Sequence, residues 1–133
     1  MVQLIDGKTI AKDLRGRIAD AAQPLSAKLG RKPGLAVVLV GENPASQVYV
    51  RNKVKLTKAV GMESIEHRLP ADAPQVEVET LIRELNADEA VDGILLQLPL
   101  PEGLDANAAI ALIDPAKDVD GLTATSAGRL VLG

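Results

Sequence analysis

Leu35-Ala36-Val37-Val38-Leu39-Val40 is an unbroken apolar run held between Gly34 and Gly41. Its length, its β-branched content and the glycines at both ends read as a strand buried on both faces. Such strands belong to parallel sheets covered by helices. Gly41-Glu42-Asn43-Pro44 follows as a turn into a helix. Asn43 is a suitable cap, and Pro44 falls at the first helical position, where its missing N–H costs nothing. That helix is expected to run to Val60 and stop at Gly61.

Working outward, Ile65-Glu66-His67-Arg68-Leu69 alternates and predicts a second strand nearer an edge, and Val76, Leu81, Ile82 and Leu85 suit a helix over 75–86. Asp92-Gly93 opens a third buried strand, Ile94-Leu95-Leu96-Gln97-Leu98, and a short helix is expected near 107–113. Upstream, Ile10, Leu14 and Ile18 recur every fourth residue, predicting a helix over 9–29 with Thr9 as its cap and a kink or break near Ala21–Gln23 caused by Pro24. The final stretch, Leu122–Gly133, reads as no complete unit, as if the chain were cut short. Strands alternating with helices imply βαβ units, hence an α/β fold with a parallel sheet and right-handed crossovers.

Composition removes several classes of function. With 133 residues the chain suits one domain, and with no cysteine it has neither disulfides nor a thiol nucleophile. A single histidine, His67, excludes His-rich metal clusters, and no metal site is expected. The net charge of −3 and one lone tyrosine argue against nucleic acid, whose binders are basic and offer aromatic platforms. The N-terminus lacks the pattern of a signal peptide, and no apolar run approaches the ~20 residues of a membrane span. A soluble, cytoplasmic protein without a membrane partner is the expectation.

Three stretches carry candidate chemistry. In Ser46-Gln47-Val48-Tyr49-Val50-Arg51-Asn52-Lys53, Tyr49 and Lys53 fall one helical turn apart with Ser46 close by, at the C-terminal edge of the first strand. Ligands bind at that edge in open α/β sheets, and a lysine there can exchange a proton. Spacing alone favours the plainer reading, a surface helix with a solvated lysine. Gln97 ends a buried strand just before Leu98-Pro99-Leu100-Pro101, so its amide either satisfies the next turn or faces a ligand. In Lys117-Asp118-Val119-Asp120-Gly121 the two carboxylates read either as an acid/base or cation pair or as a turn held by Asp side chains. His67 reads as surface structure. Gly41-Glu42-Asn43-Pro44 matches no glycine-rich phosphate loop, so no dinucleotide site is visible in this chain.

Taken in order, V-G-E-N-P-A-S-Q-V-Y-V-R-N-K at 40–53, D-G-I-L-L-Q-L-P-L-P at 92–101 and K-D-V-D-G-L at 117–122 resemble the methylenetetrahydrofolate dehydrogenase/methenyltetrahydrofolate cyclohydrolase family. The likeness extends to I-D-G-K at the start and A-G-R-L near the end, where Ser126 stands in place of the usual asparagine. It implies a three-layer α/β/α domain with a small parallel sheet, like the first domain of amino-acid dehydrogenases, without the NAD(P)-binding Rossmann domain that should follow. On that reading 1–121 is the folate-binding catalytic domain, and 122–133 begins the segment leading to the nucleotide domain.

The resemblance further implies Lys53, Gln97 and Tyr49 as catalytic. Tyr49, Ser46, Gln97, Leu98, Pro99 and Asp120 would bind substrate: Tyr49 stacking on the folate, Gln97 tuning Lys53, Leu98 and Pro99 forming the wall, and Asp120 orienting the pterin. The whole enzyme would use NADP, act on tetrahydrofolate derivatives in one-carbon metabolism and purine biosynthesis, and form a homodimer. No cofactor is expected to bind this chain alone, and no dehydrogenase activity is expected of it. Two rivals stand beside this reading. The Tyr-x-x-x-Lys spacing also occurs in short-chain dehydrogenases, but there it follows a glycine-rich loop that is missing here. The other rival is a non-catalytic fragment that binds folate or self-associates.

Overall fold

The computed structural model describes all 133 residues. Helices and strands alternate: α1 (Gly7–Leu29), β1 (Gly34–Val40), α2 (Pro44–Ala59), β2 (Glu63–Leu69), α3 (Gln75–Ala87), β3 (Gly93–Leu96), α4 (Ala106–Leu112) and α5 (Ala124–Leu132). A 3-10 turn, Pro115–Lys117, precedes α5. The sheet is wholly parallel with order β2-β1-β3, so the unbroken apolar strand is central and the alternating strand is an edge.

Burial follows that order. Ala36, Val38 and Val40 of β1, with Ile94 and Leu96, pack against Val78, Ile82 and Leu85 of α3 and Ala109 of α4. The intervening Val37 and Leu39, with Leu95, meet Val50 of α2 on the opposite face. A strand with successive side chains in two separate cores must be apolar throughout, which is why β1 does not alternate. Leu39, Ile82, Ile94 and Leu96 are among the largest fully buried side chains. Each contributes roughly 1.5–3 kcal/mol by leaving water. The three-layer α/β/α arrangement is thus as expected.

Several local expectations need correction. Asp6, not Thr9, caps α1: its carboxylate accepts from the Lys8 and Thr9 N–H groups, and from the Thr9 hydroxyl at 2.7 Å. A carboxylate satisfies donors at the positive end of the helix better than a hydroxyl does. Pro24 does not break α1, which runs on to Leu29 and ends at Gly30 in the left-handed conformation. Only one helical N–H is lost at the proline, leaving the Asp20 carbonyl without its usual partner. The third strand ends at Leu96, and the last residues do form an element, α5. The apolar spacing that marked α1 as a helix faces outward, with Ile10, Leu14 and Ile18 exposed by 54%, 48% and 39%.

The start of the sheet is held by a contact between distant residues. Arg31 donates to both oxygens of Asp92, at 2.7 and 3.0 Å, and Asp92 also accepts from the Gly34 N–H at 2.8 Å. Gly34 is required there, because a Cβ would lie 2.1 Å from the Ala90 carbonyl oxygen. The Arg31 guanidinium holds the Asp92 carboxyl below its ordinary range, outweighing the opposite push of burial, and the Gly34 N–H adds a lesser lowering. No helix is long and apolar enough to cross a membrane.

Candidate active site

The β1–α2 turn delivers a helix to the C-terminal edge of the sheet. Asn43 caps it by accepting from the Ser46 N–H at 3.1 Å, and the Gln47 side chain ties back to the Glu42 carbonyl. Ser46, Val50, Lys53 and Thr57 recur at helical spacing, and Ser46, Val50 and Thr57 are buried. Lys53 on this stripe is half-buried, whereas Tyr49 is 59% exposed. Tyr49 and Lys53 therefore share a helix edge, but only Lys53 turns in against the sheet.

Lys53 meets Gln97. Its Nζ donates to Gln97 Oε1 at 3.1 Å, joining residues 44 positions apart. Gln97 itself is 9% exposed and extends the β3 ladder by donating its backbone N–H to the Val38 carbonyl at 2.9 Å. Its Nε2 donates to the Leu98 carbonyl at 2.8 Å. That bond fixes the amide so that only the oxygen faces the lysine. The glutamine therefore satisfies the next turn through its nitrogen and turns its oxygen to Lys53. The ion pairs in the structure are Arg31–Asp92 and Glu66–Arg68, so no carboxylate neutralises Lys53. An amide can orient an amine without fixing its charge.

Beyond Gln97, Leu98 is half-buried and Pro99 exposed, joined by a cis peptide bond. Pro99, Leu100 and Pro101 form one side of a cleft of about 220 Å³, and Gly41, Asn43 and Ala71 line the other. A larger hollow of about 430 Å³ lies between the end of β2 and α3 and takes in His67. Lys53, Tyr49 and Gln97 line none of the hollows, so the pair stands on an open face.

The two carboxylates of Asp118-Val119-Asp120 part company. Asp118 turns inward and accepts from the Leu122 and Thr123 N–H groups at 3.2 and 2.9 Å. Burial pushes its carboxyl up, but the Thr123 N–H, the Ser126 and Thr123 hydroxyls and the Leu122 N–H outweigh this and hold it below the ordinary range. Asp120 is exposed and makes no hydrogen bond within the chain. No contact joins Asp120 to the Lys53–Gln97 pair. Lys117, singled out only as part of a motif, caps α3 by donating to the Leu85 and Asp88 carbonyls at 3.1 and 2.9 Å. A lysine some thirty residues beyond a helix end gives no sequence signal of such a role.

Residues 5–120 match the family model of the tetrahydrofolate dehydrogenase/cyclohydrolase catalytic domain. The chain belongs to this family. The bifunctional protein FolD of Sphingopyxis alaskensis is 67% identical over 131 residues, covering 98% of this chain and 43% of that protein. A FolD of Rhodopseudomonas palustris is 62% identical, covering 98% and 44%. The chain therefore spans less than half the length of the tetrahydrofolate dehydrogenase/cyclohydrolase relatives it matches.

Among solved structures of this family, the bifunctional FolD of Campylobacter jejuni superposes with a TM-score of 0.94 at 39% identity, covering 98% of this chain and 46% of that one. The Trypanosoma brucei enzyme, solved with NADP cofactor and inhibitor, gives 0.91 at 36% identity, covering 97% and 44%.

Proposed function

We propose that this chain is the folate-binding, lysine-bearing part of a methylenetetrahydrofolate dehydrogenase/methenyltetrahydrofolate cyclohydrolase, acting on tetrahydrofolate derivatives in one-carbon metabolism. The observation that carries this is the 3.1 Å contact between Lys53 Nζ and Gln97 Oε1 at the ligand-binding edge of the sheet. Residues 1–121 form the folate-binding unit and 122–133 lead out of it, a boundary supported by the family match ending at residue 120.

The chemistry suits the hydrolysis of a methenyl cation. Water adds to the electron-poor bridging carbon, the amine form of Lys53 takes the proton that water loses, and the carbon's bond to N5 then breaks. N5 leaves protonated, the water oxygen becomes that of the 10-formyl product, and one proton is released overall. Gln97 keeps the amine beside the reacting carbon while adding no charge next to a cation. Exposed Tyr49 offers its ring for stacking on the aromatic parts of the folate. Buried Ser46 supports the turn that carries it, and Leu98 and Pro99 form the wall. Asp120 accepts from the pterin amino group and an adjacent ring nitrogen.

NADP does not fit the residues present. At the β1–α2 turn the Ser46 N–H is already bound to Asn43, Pro44 has no N–H, and Glu42 would repel a pyrophosphate. Dehydrogenation therefore requires residues other than those of this chain. The open face around Lys53 favours a second reading, a fragment that binds folate without turning it over.

Hydrolysis of 5,10-methenyltetrahydrofolate, followed by absorbance, tests both readings. The chain is expected to hydrolyse it above the buffer rate, and Lys53→Met to return it to that rate. Undiminished hydrolysis by Lys53→Met overturns the role of the lysine. Folate binding without hydrolysis by either form selects the second reading.

A further inference from the structure

We infer that Asp118 is a positioning residue that presents Asp120 to the folate. This rests on the assignment of Asp120 to the pterin. The loop from Asp118 to Thr123 is pinned from three directions. The Asp118 backbone pairs with Ile94 in a parallel bridge, so the loop leaves the outer edge of β3 in register with the sheet. Val119 fills the space above Gly93, where a Cβ would come within 2.5 Å of its Cγ1. The Asp118 carboxylate then closes the loop by accepting from the N–H groups four and five residues on.

The closure is continued into α5. The Thr123 hydroxyl caps that helix through the Ser126 N–H at 3.2 Å and donates to the Ser126 hydroxyl at 3.0 Å. Thr123 is 3% exposed, so this end of the loop is anchored in the protein. Gly121 takes the left-handed conformation, φ 67°, which reverses the chain within the loop. With Asp118 and Thr123 held inward at the two ends of the loop, Asp120 stands exposed between them, beside the half-exposed Val119. A carboxylate meant to grip two donors of a flat ring must be held in place by groups other than itself. Asp118 supplies that hold as a fully ionised, doubly bonded acceptor.

The test is tetrahydrofolate affinity, measured by calorimetry on the 133-residue chain under reducing conditions. Asp120→Asn and Asp118→Asn are each expected to weaken binding at least tenfold. The double variant should bind no more weakly than either single one, because both remove the same interaction. A general loss of structure would instead add to the effect of Asp120→Asn.

Gly93→Ala reaches the loop independently by displacing Val119. It too should weaken binding, and adding Val119→Ala should restore it by returning the space. Binding weakened by Asp120→Asn but not by Asp118→Asn overturns this inference and leaves the site intact. Additive losses, or no rescue of Gly93→Ala, also overturn it. Binding untouched by Asp120→Asn, or absent from the unaltered chain, overturns the assignment of Asp120 and this inference with it.

Discussion

Gln97 shows how one amide can orient a neighbouring amine. Its nitrogen is committed to Leu98, so its oxygen must face Lys53, and the lysine is oriented without meeting a negative charge. Gln97→Glu keeps the shape and changes only the charge. The new carboxylate pairs with Lys53 and favours its charged form. If the amine form takes the proton from water, hydrolysis should fall tenfold or more at neutral pH, about 1.4 kcal/mol. The rate-versus-pH curve should also move to higher pH, where the paired lysine gives up its proton. Steady-state rates across pH 6–10 check this, and an unshifted curve shows that Lys53 is not the proton acceptor. The residue types at this site were legible in the sequence: a lysine and tyrosine at one-turn spacing, and an amide ending a buried strand. Their meeting was not, because helical periodicity gives an angle about an axis and says nothing of residues 44 positions away. Tyr49 is the clearest case, sharing an edge with Lys53 on paper and standing exposed in the fold.

Elements were legible where one local force decided them. The apolar run of β1, the Asn43-Pro44 helix start and the Gly61 stop all behave as their local chemistry dictates. They failed where a neighbouring residue competed or a distant partner intervened. Thr9 lost the cap to Asp6, whose charge suits a helix N-terminus better, and Pro24 was tolerated in a long helix. The Arg31–Asp92 clamp was invisible because its partners lie 61 residues apart and belong to no motif. Yet it joins the end of α1, the start of β1 and the start of β3, and its pH dependence follows from the Asp92 shift. The carboxyl is held below its ordinary 3.8 in the folded chain. The folded form thus favours the ionised state, and the clamp's stabilisation is present above that value. It is lost as pH falls through the lower, folded value. Asp92→Asn should accordingly melt a few degrees below the unaltered chain at pH 7. That gap should narrow as pH falls below 3.8 and close only once the pH has passed the lower, folded value, where the folded chain also loses the charge. Melting curves from pH 7 to 2.5 give the comparison, and a gap constant with pH would show that the carboxylate's charge plays no part.

For the molecule as a whole, the question is whether any part of this surface can hold a dinucleotide. Proteins grip a pyrophosphate with unpaired N–H groups at the start of a helix, usually after a glycine-rich turn. Here those groups are largely spoken for. Asp6 takes the N–H groups that open α1, Asn43 that of Ser46 in α2, Asp105 that of Ala108 in α4, and Thr123 that of Ser126 in α5. The start of α3 has no side-chain cap, but Glu77 sits in its first turn and would repel an anion. Three of these caps follow directly from Asp or Asn before a helix, and two of them are themselves acidic. A net charge of −3 opposes a polyanion further. Titrated with NADP⁺ alone, the chain should show no saturable binding in the micromolar range. Mixed with 5,10-methylenetetrahydrofolate and NADP⁺, it should give no absorbance change at the NADPH wavelength, even at concentrations where methenyl hydrolysis is measurable. An NADP⁺-dependent rate would mean that a phosphate site exists without a free helix N-terminus. Hydrolysis without reduction would instead separate the two activities physically, placing proton transfer on the Lys53 side of the folate and hydride acceptance outside this chain.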